Sequence, residues 1–260
     1  MAVVVPDILA RIVKNKRVEL RETAQRRAEL ERSAANRGNA RNFRAALTSA
    51  EPAIISEIKK ASPSKGVLLE NFNPAAIARM YESGGAAALS VLTDFDFFKG
   101  TLDDLVCARL AVGLPVLRKD FTIDEVHVME AATYGADAIL LIAALLDERT
   151  MRRFRELAAS YKMDALVEVH DEAELDRALD SGAGIIGVNN RNLHTFEVTL
   201  DTSLRLAKKI PAGVVKVSES GIHSSADVKT LRGAGFHAFL VGEHLMKSPD
   251  PAAALRELRS

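Results

Sequence analysis

At 260 residues, with 48% hydrophobic and 27% charged side chains, the chain has the composition of a globular protein able to bury a full core, which excludes a disordered or low-complexity segment. Its 35 Lys and Arg balance 35 Asp and Glu, so no global field favours nucleic acid or an anionic membrane, and any anionic ligand has to be held locally. The one cysteine, Cys107, excludes an internal disulfide, and the longest apolar runs, such as Ala138 to Leu146, are too short to span a bilayer.

In chain order, the start, Met1 to Pro6, is apolar but lacks the charged leader and long apolar region of a signal peptide, so the cytoplasm is the expected compartment. Residues 1–52 are expected to form a helical extension. Asp7 to Arg32 sets Ile8, Ile12, Val18 and Leu20 among many charged residues, the pattern of one or two helices lying outside the main body. Such a segment offers one modest apolar face, either packed over a neighbouring surface or left as a solvated tail. A linker-like stretch, Ser33 to Asn42, follows.

From residue 53 to the C-terminus, short runs rich in Val, Ile, Leu and Ala alternate with amphipathic segments of helical period. The predicted strands are Ala53 to Ile58, Ala87 to Leu92, Pro115 to Lys119, Ala138 to Ile142, Ala165 to Val169, Ile185 to Val188, Val214 to Val217 and Ala238 to Val241. Predicted helices between them include Asp147 to Tyr161, and Asp171 to Asp180 with Asp171 as N-cap and Gly182 as stop. Near-continuous apolar strands imply burial on both faces, and eight parallel strands with covering helices close most naturally into a barrel. The expected fold class is therefore α/β, a (β/α)8 TIM barrel over 53–260 with an N-terminal helical extension, as a single domain; an open doubly wound sheet is the alternative. Gly-Ala pairs at Gly85, Gly135, Gly182 and Gly233 recur about every fifty residues, or two βα units, which fits either similar quarters or a convenient helix stop.

In such a barrel, catalytic groups project from the C-terminal ends of the strands. There the chain places Glu57 and Lys59 at the end of the first strand, Lys119 at the end of the third, Glu168 in the fifth, Asn189 and Arg191 after the sixth, and Glu219, Ser220 and Gly221 after the seventh. Glu57 and Lys59 alternate onto one side, and charges inside an apolar strand are costly unless partnered, so lysines and glutamates facing one cavity are expected to pair. Gly221 and Gly242, after the seventh and eighth strands, allow the backbone to approach an anion such as phosphate. Glu243 must then turn away. The histidines His127, His170, His194, His223, His237 and His244 show no paired ligand spacing, and no nucleotide-binding glycine motif is present, so neither a metal nor a cofactor is expected. His170 is read as pointing away from Glu168, in a structural role, and Cys107 lies in a predicted helix.

Five ordered motifs carry a family likeness: Glu57-Ile-Lys59-Lys-Ala-Ser62-Pro-Ser64, Pro115-Val-Leu-Arg-Lys119-Asp-Phe121, Leu166-Val-Glu168-Val-His-Asp, Gly187-Val-Asn189-Asn-Arg191-Asn-Leu193 and Lys216-Val-Ser-Glu219-Ser220-Gly221-Ile. Together they resemble the indole-3-glycerol-phosphate synthase family over nearly the whole chain. The resemblance implies a carboxy-lyase of tryptophan biosynthesis, acting on 1-(o-carboxyphenylamino)-1-deoxyribulose 5-phosphate, with helices of the extension near the active-site mouth. It implies Lys119 as general acid to the substrate carbonyl oxygen, Lys59 as partner of the substrate carboxylate, Glu168 as the carboxylate assisting dehydration, and Glu57, Asn189, Glu219 and Ser220 as supporting catalytic positions. Ser62, Phe98, Phe121, Leu140, Arg191, Leu193, Gly221 and Gly242 are the expected binding residues, with Phe98, Phe121, Leu140 and Leu193 forming an apolar slot for the anilino ring. Burial and cationic neighbours would lower the Lys119 pKa, and adjacent glutamates would oppose that. The expected partner is a phosphorylated small molecule, with no nucleic acid and no membrane, bound by a monomer or weak homo-oligomer. The rival readings are another phosphosugar barrel enzyme, such as a phosphoribosylanthranilate isomerase with a cysteine and aspartate pair, and a barrel that only binds.

Overall fold

The computed structural model describes residues 7–49, 51–63 and 65–260, so the apolar start Met1 to Pro6 and Ser64 of the first motif lie outside the described residues. Eight strands, β1 (Ala53–Ile58), β2 (Ala88–Leu92), β3 (Val116–Lys119), β4 (Ala138–Ile142), β5 (Asp164–Val169), β6 (Ile185–Asn189), β7 (Val215–Glu219) and β8 (Ala238–Val241), form a closed barrel. All neighbouring pairs are parallel, and β1 bonds both to β2, with Ile55 opposite Ala88, and to β8, with Ala53 opposite Ala238. Closure rules out the open doubly wound sheet. Strand limits depart from the sequence reading by a residue or two at the ends, most at β7, whose ladder continues to Glu219 because it still pairs with Asn189 of β6.

Strand alternation divides the apolar residues into two cores. Ile55, Ala88, Leu117, Leu140, Leu166, Ile185, Val217 and Leu240 point inward and fill the barrel. Ile54, Leu89, Val116, Ile139, Val167, Ile186 and Phe239 point outward and bury the inner faces of the helices. The covering helices start where a short polar side chain satisfies a free N–H: Asp147 caps Glu148–Ser160 by accepting from the Thr150 N–H at 2.7 Å, and Asp171 caps Glu172–Asp180 by accepting from the Glu174 N–H at 2.8 Å. Gly85, Gly135 and Gly182 take positive φ at helix ends, whereas Gly233 is still helical. The recurring Gly-Ala pair is thus a local helix stop at three of its positions.

The N-terminal segment is more deeply engaged than its charge suggests. Helix Phe43–Ser49 plugs the N-terminal end of the barrel, with Phe43 and Leu47 fully buried in the inner core. Helix Asp7–Gln25 lies over the opposite end, where Leu9 and Ile12 join that core from above. Helix Arg27–Ala35 packs Leu30 and Ala34 into the outer shell, against helix Glu125–Thr133. The stretch Ser33 to Asn42 is no free linker. The Arg41 backbone N–H donates to buried Asp137 at 2.9 Å, and Arg37 pairs with the same carboxylate at 3.4 Å. These contacts exclude a solvated tail.

Candidate active site

The inward series that is apolar at the bottom of each strand becomes polar at its C-terminal end. Ala53 and Ile55 lead to Glu57, Leu117 leads to Lys119, Leu166 to Glu168, Ile185 to Asn189, and Val215 and Val217 to Glu219. The same alternation that builds the barrel core therefore delivers these charges to one rim. Glu57, Lys59, Lys119, Glu168, Asn189, Glu219 and Ser220 all line one cavity of about 540 Å³. Ser62, Phe98, Phe121, Leu140, Arg191, Leu193, Gly221 and Gly242 line it too. Phe98 and Phe121 pack with ring centroids 6.3 Å apart, forming an aromatic wall on one side.

The charges pair as the alternation predicts. Lys59 Nζ donates to Glu57 Oε1 at 2.5 Å, and Lys119 Nζ lies 3.7 Å from Glu168 Oε2 and 3.8 Å from Glu219 Oε2. Burial resists charge on Lys119, but Glu168, Glu219 and Glu57 outweigh it and hold the ammonium above the ordinary lysine range. The opposed influences left open by the sequence are settled in favour of the glutamates. Burial likewise resists ionisation of Glu57, and Lys59 and Lys119 pull it below its ordinary value. The remaining two carboxylates diverge. Glu168, although buried, is pulled down by Lys119 and His170, while burial and the charge of Glu168 push Glu219 up. Two carboxyls at a single lysine whose pKa values are pushed apart are an arrangement suited to acid and base steps.

The loops after β6 and β7 are tied together. Asn189 Oδ1 accepts from the Ser220 hydroxyl at 2.9 Å and from the Arg191 backbone N–H at 3.0 Å. Ser220 adopts φ +68°, a left-handed conformation that costs a non-glycine residue roughly 1 to 3 kcal/mol, followed by Gly221 at φ +77°. The turn thereby exposes backbone to the cavity. Gly242 is required by space, since a Cβ there would collide with the Glu57 carboxylate. Glu243, rather than simply turning away, lines the cavity with its charge matched by Lys247 at 2.6 Å and Lys65 at 3.3 Å.

Sequence reasoning missed several participants. His170 does not point away from Glu168: residues two apart share a side, and His170 Nε2 lies 3.4 Å from Glu168 Oε1. Parity was the available signal. Ile8, Leu9 and Ile12 of the N-terminal helix form part of the cavity wall. Lys16 on the same helix is buried and pairs at 3.0 Å with both Asp94, after β2, and Asp120, after β3. Arg118 completes that network through Asp120 at 3.1 Å and Glu130 at 2.8 Å. Cys107 is exposed on helix Leu102–Ala111 and contributes nothing to the cavity, which removes the cysteine an isomerase reading requires. Among the described residues, no three His, Cys, Asp or Glu side chains are placed to hold a metal ion.

Comparison with known proteins agrees with this geometry. A family model described as indole-3-glycerol phosphate synthase matches residues 9–258. The indole-3-glycerol phosphate synthase of Polaromonas naphthalenivorans is 52% identical over 258 residues, covering 97% of this chain and 98% of the relative. That of Aromatoleum aromaticum is 52% identical with the same coverage, and that of Koribacter versatilis is 50% identical over 241 residues, covering 92% of each. Among solved structures, thiamine phosphate pyrophosphorylase from Pyrococcus furiosus superimposes with a TM-score of 0.60 at 16% identity, covering 84% of this chain and 96% of that one, a likeness of fold alone. With five site motifs on one barrel rim and full-length relatives at about half identity, the chain belongs to the indole-3-glycerol phosphate synthase family of carboxy-lyases.

Proposed function

We propose that this chain converts 1-(o-carboxyphenylamino)-1-deoxyribulose 5-phosphate to indole-3-glycerol phosphate, carbon dioxide and water, the carbon–carbon lyase step its family's name denotes. The observation that supports this most is the rim cluster itself, Lys119 at 3.7 Å from Glu168 and 3.8 Å from Glu219, whose pKa values are pushed in opposite directions, with the Lys59–Glu57 pair lining the same cavity. The ring carbon bearing the carboxylate attacks the C2 carbonyl as Lys119 delivers a proton to its oxygen. The glutamates keep Lys119 charged and therefore able to donate, and although its raised pKa weakens the driving force, an ammonium is still acidic enough to protonate a developing alkoxide. Holding the ring end of one flexible substrate in the apolar slot and its phosphate end at the loops after β7 and β8 turns ring closure into a problem of positioning.

Lys59 exchanges Glu57 for the substrate carboxylate, which then leaves as carbon dioxide while its bonding electrons restore the aromatic ring. Lys59, released, protonates the departing C2 hydroxyl, and ionised Glu168 takes the proton from C1, completing the indole. One proton enters from solvent per turnover because a carboxylate departs as a neutral gas. Asn189 and Ser220 hold the β6 and β7 loops in place around these groups. No helix among the described residues is long and apolar enough to cross a membrane. A cytoplasmic monomer or weak homo-oligomer acting on a phosphorylated small molecule, without a metal or cofactor, belongs to the same proposal.

Steady-state kinetics with that substrate test the reading. Lys59→Met is expected to raise KM and lower kcat together, because a partner of the bound carboxylate acts in the ground state as well as the transition state. Unchanged values for both would remove Lys59 from the site. The phosphate end has its own test: inorganic phosphate is expected to inhibit competitively, bound by backbone donors after β7 and β8. Inhibition that extra substrate cannot relieve would move the phosphate elsewhere.

A further inference from the structure

His170 immediately follows β5 and belongs to neither the cavity wall nor the helix shell. Its Nδ1 lies 2.9 Å from Glu174 Oε2, on the helix that follows, and the same oxygen accepts the His170 backbone N–H at 2.8 Å. Its Nε2 lies 3.4 Å from Glu168 Oε1, an ion-pair distance rather than that of a short hydrogen bond. The ring is only 13% exposed, between carboxylates that are 5% and 12% exposed. Nδ1 facing a carboxylate at 2.9 Å must carry a proton. Nε2 is buried and has no hydrogen-bond partner, so a neutral ring would leave its lone pair in a buried spot beside the negative Glu168 oxygen, whereas an imidazolium places a positive charge between the two carboxylates.

We propose that His170 is a positioning residue: a charged Glu174–His170–Glu168 bridge fixes the Glu168 carboxylate, in ionised form, opposite Lys119. This rests on the reading of Glu168 as the base of the dehydration step. Glu168 stands between two cations, His170 on one side and Lys119 on the other, with Glu219 of β7 as the third carboxylate nearby. Burial disfavours charge on His170, but Glu168 and Glu174 outweigh it and push its pKa up to about 10. The imidazolium in turn helps to hold Glu168 below its ordinary value. Without it, Glu168 would share the site with Glu57 and Glu219 on the charge of the lysines alone and would take up a proton at higher pH.

Two variants and one spectrum test this. His170→Gln keeps a donor near Glu168 and removes the charge, and Glu174→Gln keeps the contact to His170 and weakens its hold. His170→Gln is expected to lower kcat about tenfold with KM within about twofold, since the ring does not line the cavity. The acidic limb of its kcat profile should move up by about one pH unit as Glu168 loses an opposite charge. Glu174→Gln should shift the limb the same way by less. Unchanged kcat and pH profile in both variants of an active enzyme would overturn the bridge, as would a fall in activity matched by loss of folded protein with the profile unmoved. Nitrogen NMR of the imidazole reads the same claim without turnover: at pH 8 both His170 nitrogens should carry protons, and a neutral ring there refutes the proposal whatever the substrate proves to be. Absence of turnover in the unaltered protein with a doubly protonated His170 would instead count against the reaction assigned above and leave the bridge standing.

Discussion

Replacing Lys119 by Met is expected to leave a folded barrel whose kcat has fallen by about 10² to 10⁴, the usual worth of a positioned general acid. Lys119 is the only cation within ion-pair distance of Glu219 and one of two such groups at Glu168 among the described residues. Removing it strips the proton donor from the carbonyl oxygen, leaves Glu219 without a cation and Glu168 with His170 alone, and weakens the positive field at Glu57, which keeps Lys59. These carboxylates can answer by taking up protons rather than by unfolding the strands, because Glu57, Glu168 and Glu219 stand at the strand ends, above an inner core that stays intact. Far-ultraviolet circular dichroism should therefore match the unaltered protein while single-turnover rates collapse. A kcat within twofold of normal would refute Lys119 as the acid.

The second large effect concerns the N-terminal helices. Composition suggests that a chain lacking residues 1–42 still folds, at little cost in stability, and loses mainly substrate affinity, yet the contacts argue for collapse. Leu9, Ile12 and Leu30 are each at least 96% buried, and full burial of such side chains is worth about 1.5 to 3 kcal/mol apiece against a typical domain stability of about 5 to 15 kcal/mol. The truncation also removes Lys16, which leaves Asp94 without its cation and Asp120 with Arg118 alone, and deprives Asp137 of Arg37 and the Arg41 N–H. Breaking a buried ion pair from one side typically costs about 3 to 5 kcal/mol, so Lys16→Met alone should lower the denaturation midpoint markedly. Truncated protein is expected to be insoluble or to unfold without a cooperative transition. A soluble truncated barrel with a cooperative transition and only a raised KM would show that the helices merely cover the mouth.

What could be read from sequence follows physical locality. Strands of the barrel declare themselves because both faces are apolar, and the inward parity that makes Ile55 a core residue also aims Glu57 at the rim. Phe98, Phe121, Leu140 and Leu193 were accessible only through family likeness, since an apolar residue in a slot and one in a core look alike in one dimension. Lys16 gave no sign at all: within a run of arginines, lysines and glutamates it reads as solvated, and its partners Asp94 and Asp120 lie far along the chain. Lys247 as a partner of Glu243 is visible as an i, i+4 pair, whereas Lys65 reaches it from the loop after β1. The Lys119 balance depended on three glutamates from separate strands, a sum that no local pattern contains.

The fate of one carbon tests the assigned reaction most directly. The protein, dialysed against a chelator, is given 1-(o-carboxyphenylamino)-1-deoxyribulose 5-phosphate labelled in its carboxyl carbon, while indole fluorescence and released gas are followed together. Label is expected to leave as carbon dioxide one-for-one with indole-3-glycerol phosphate, and Lys119→Met is expected to lose both signals in parallel. Folded protein that binds the substrate but releases neither labelled carbon dioxide nor indole product, or that does so only when a metal is restored, would contradict the assigned reaction.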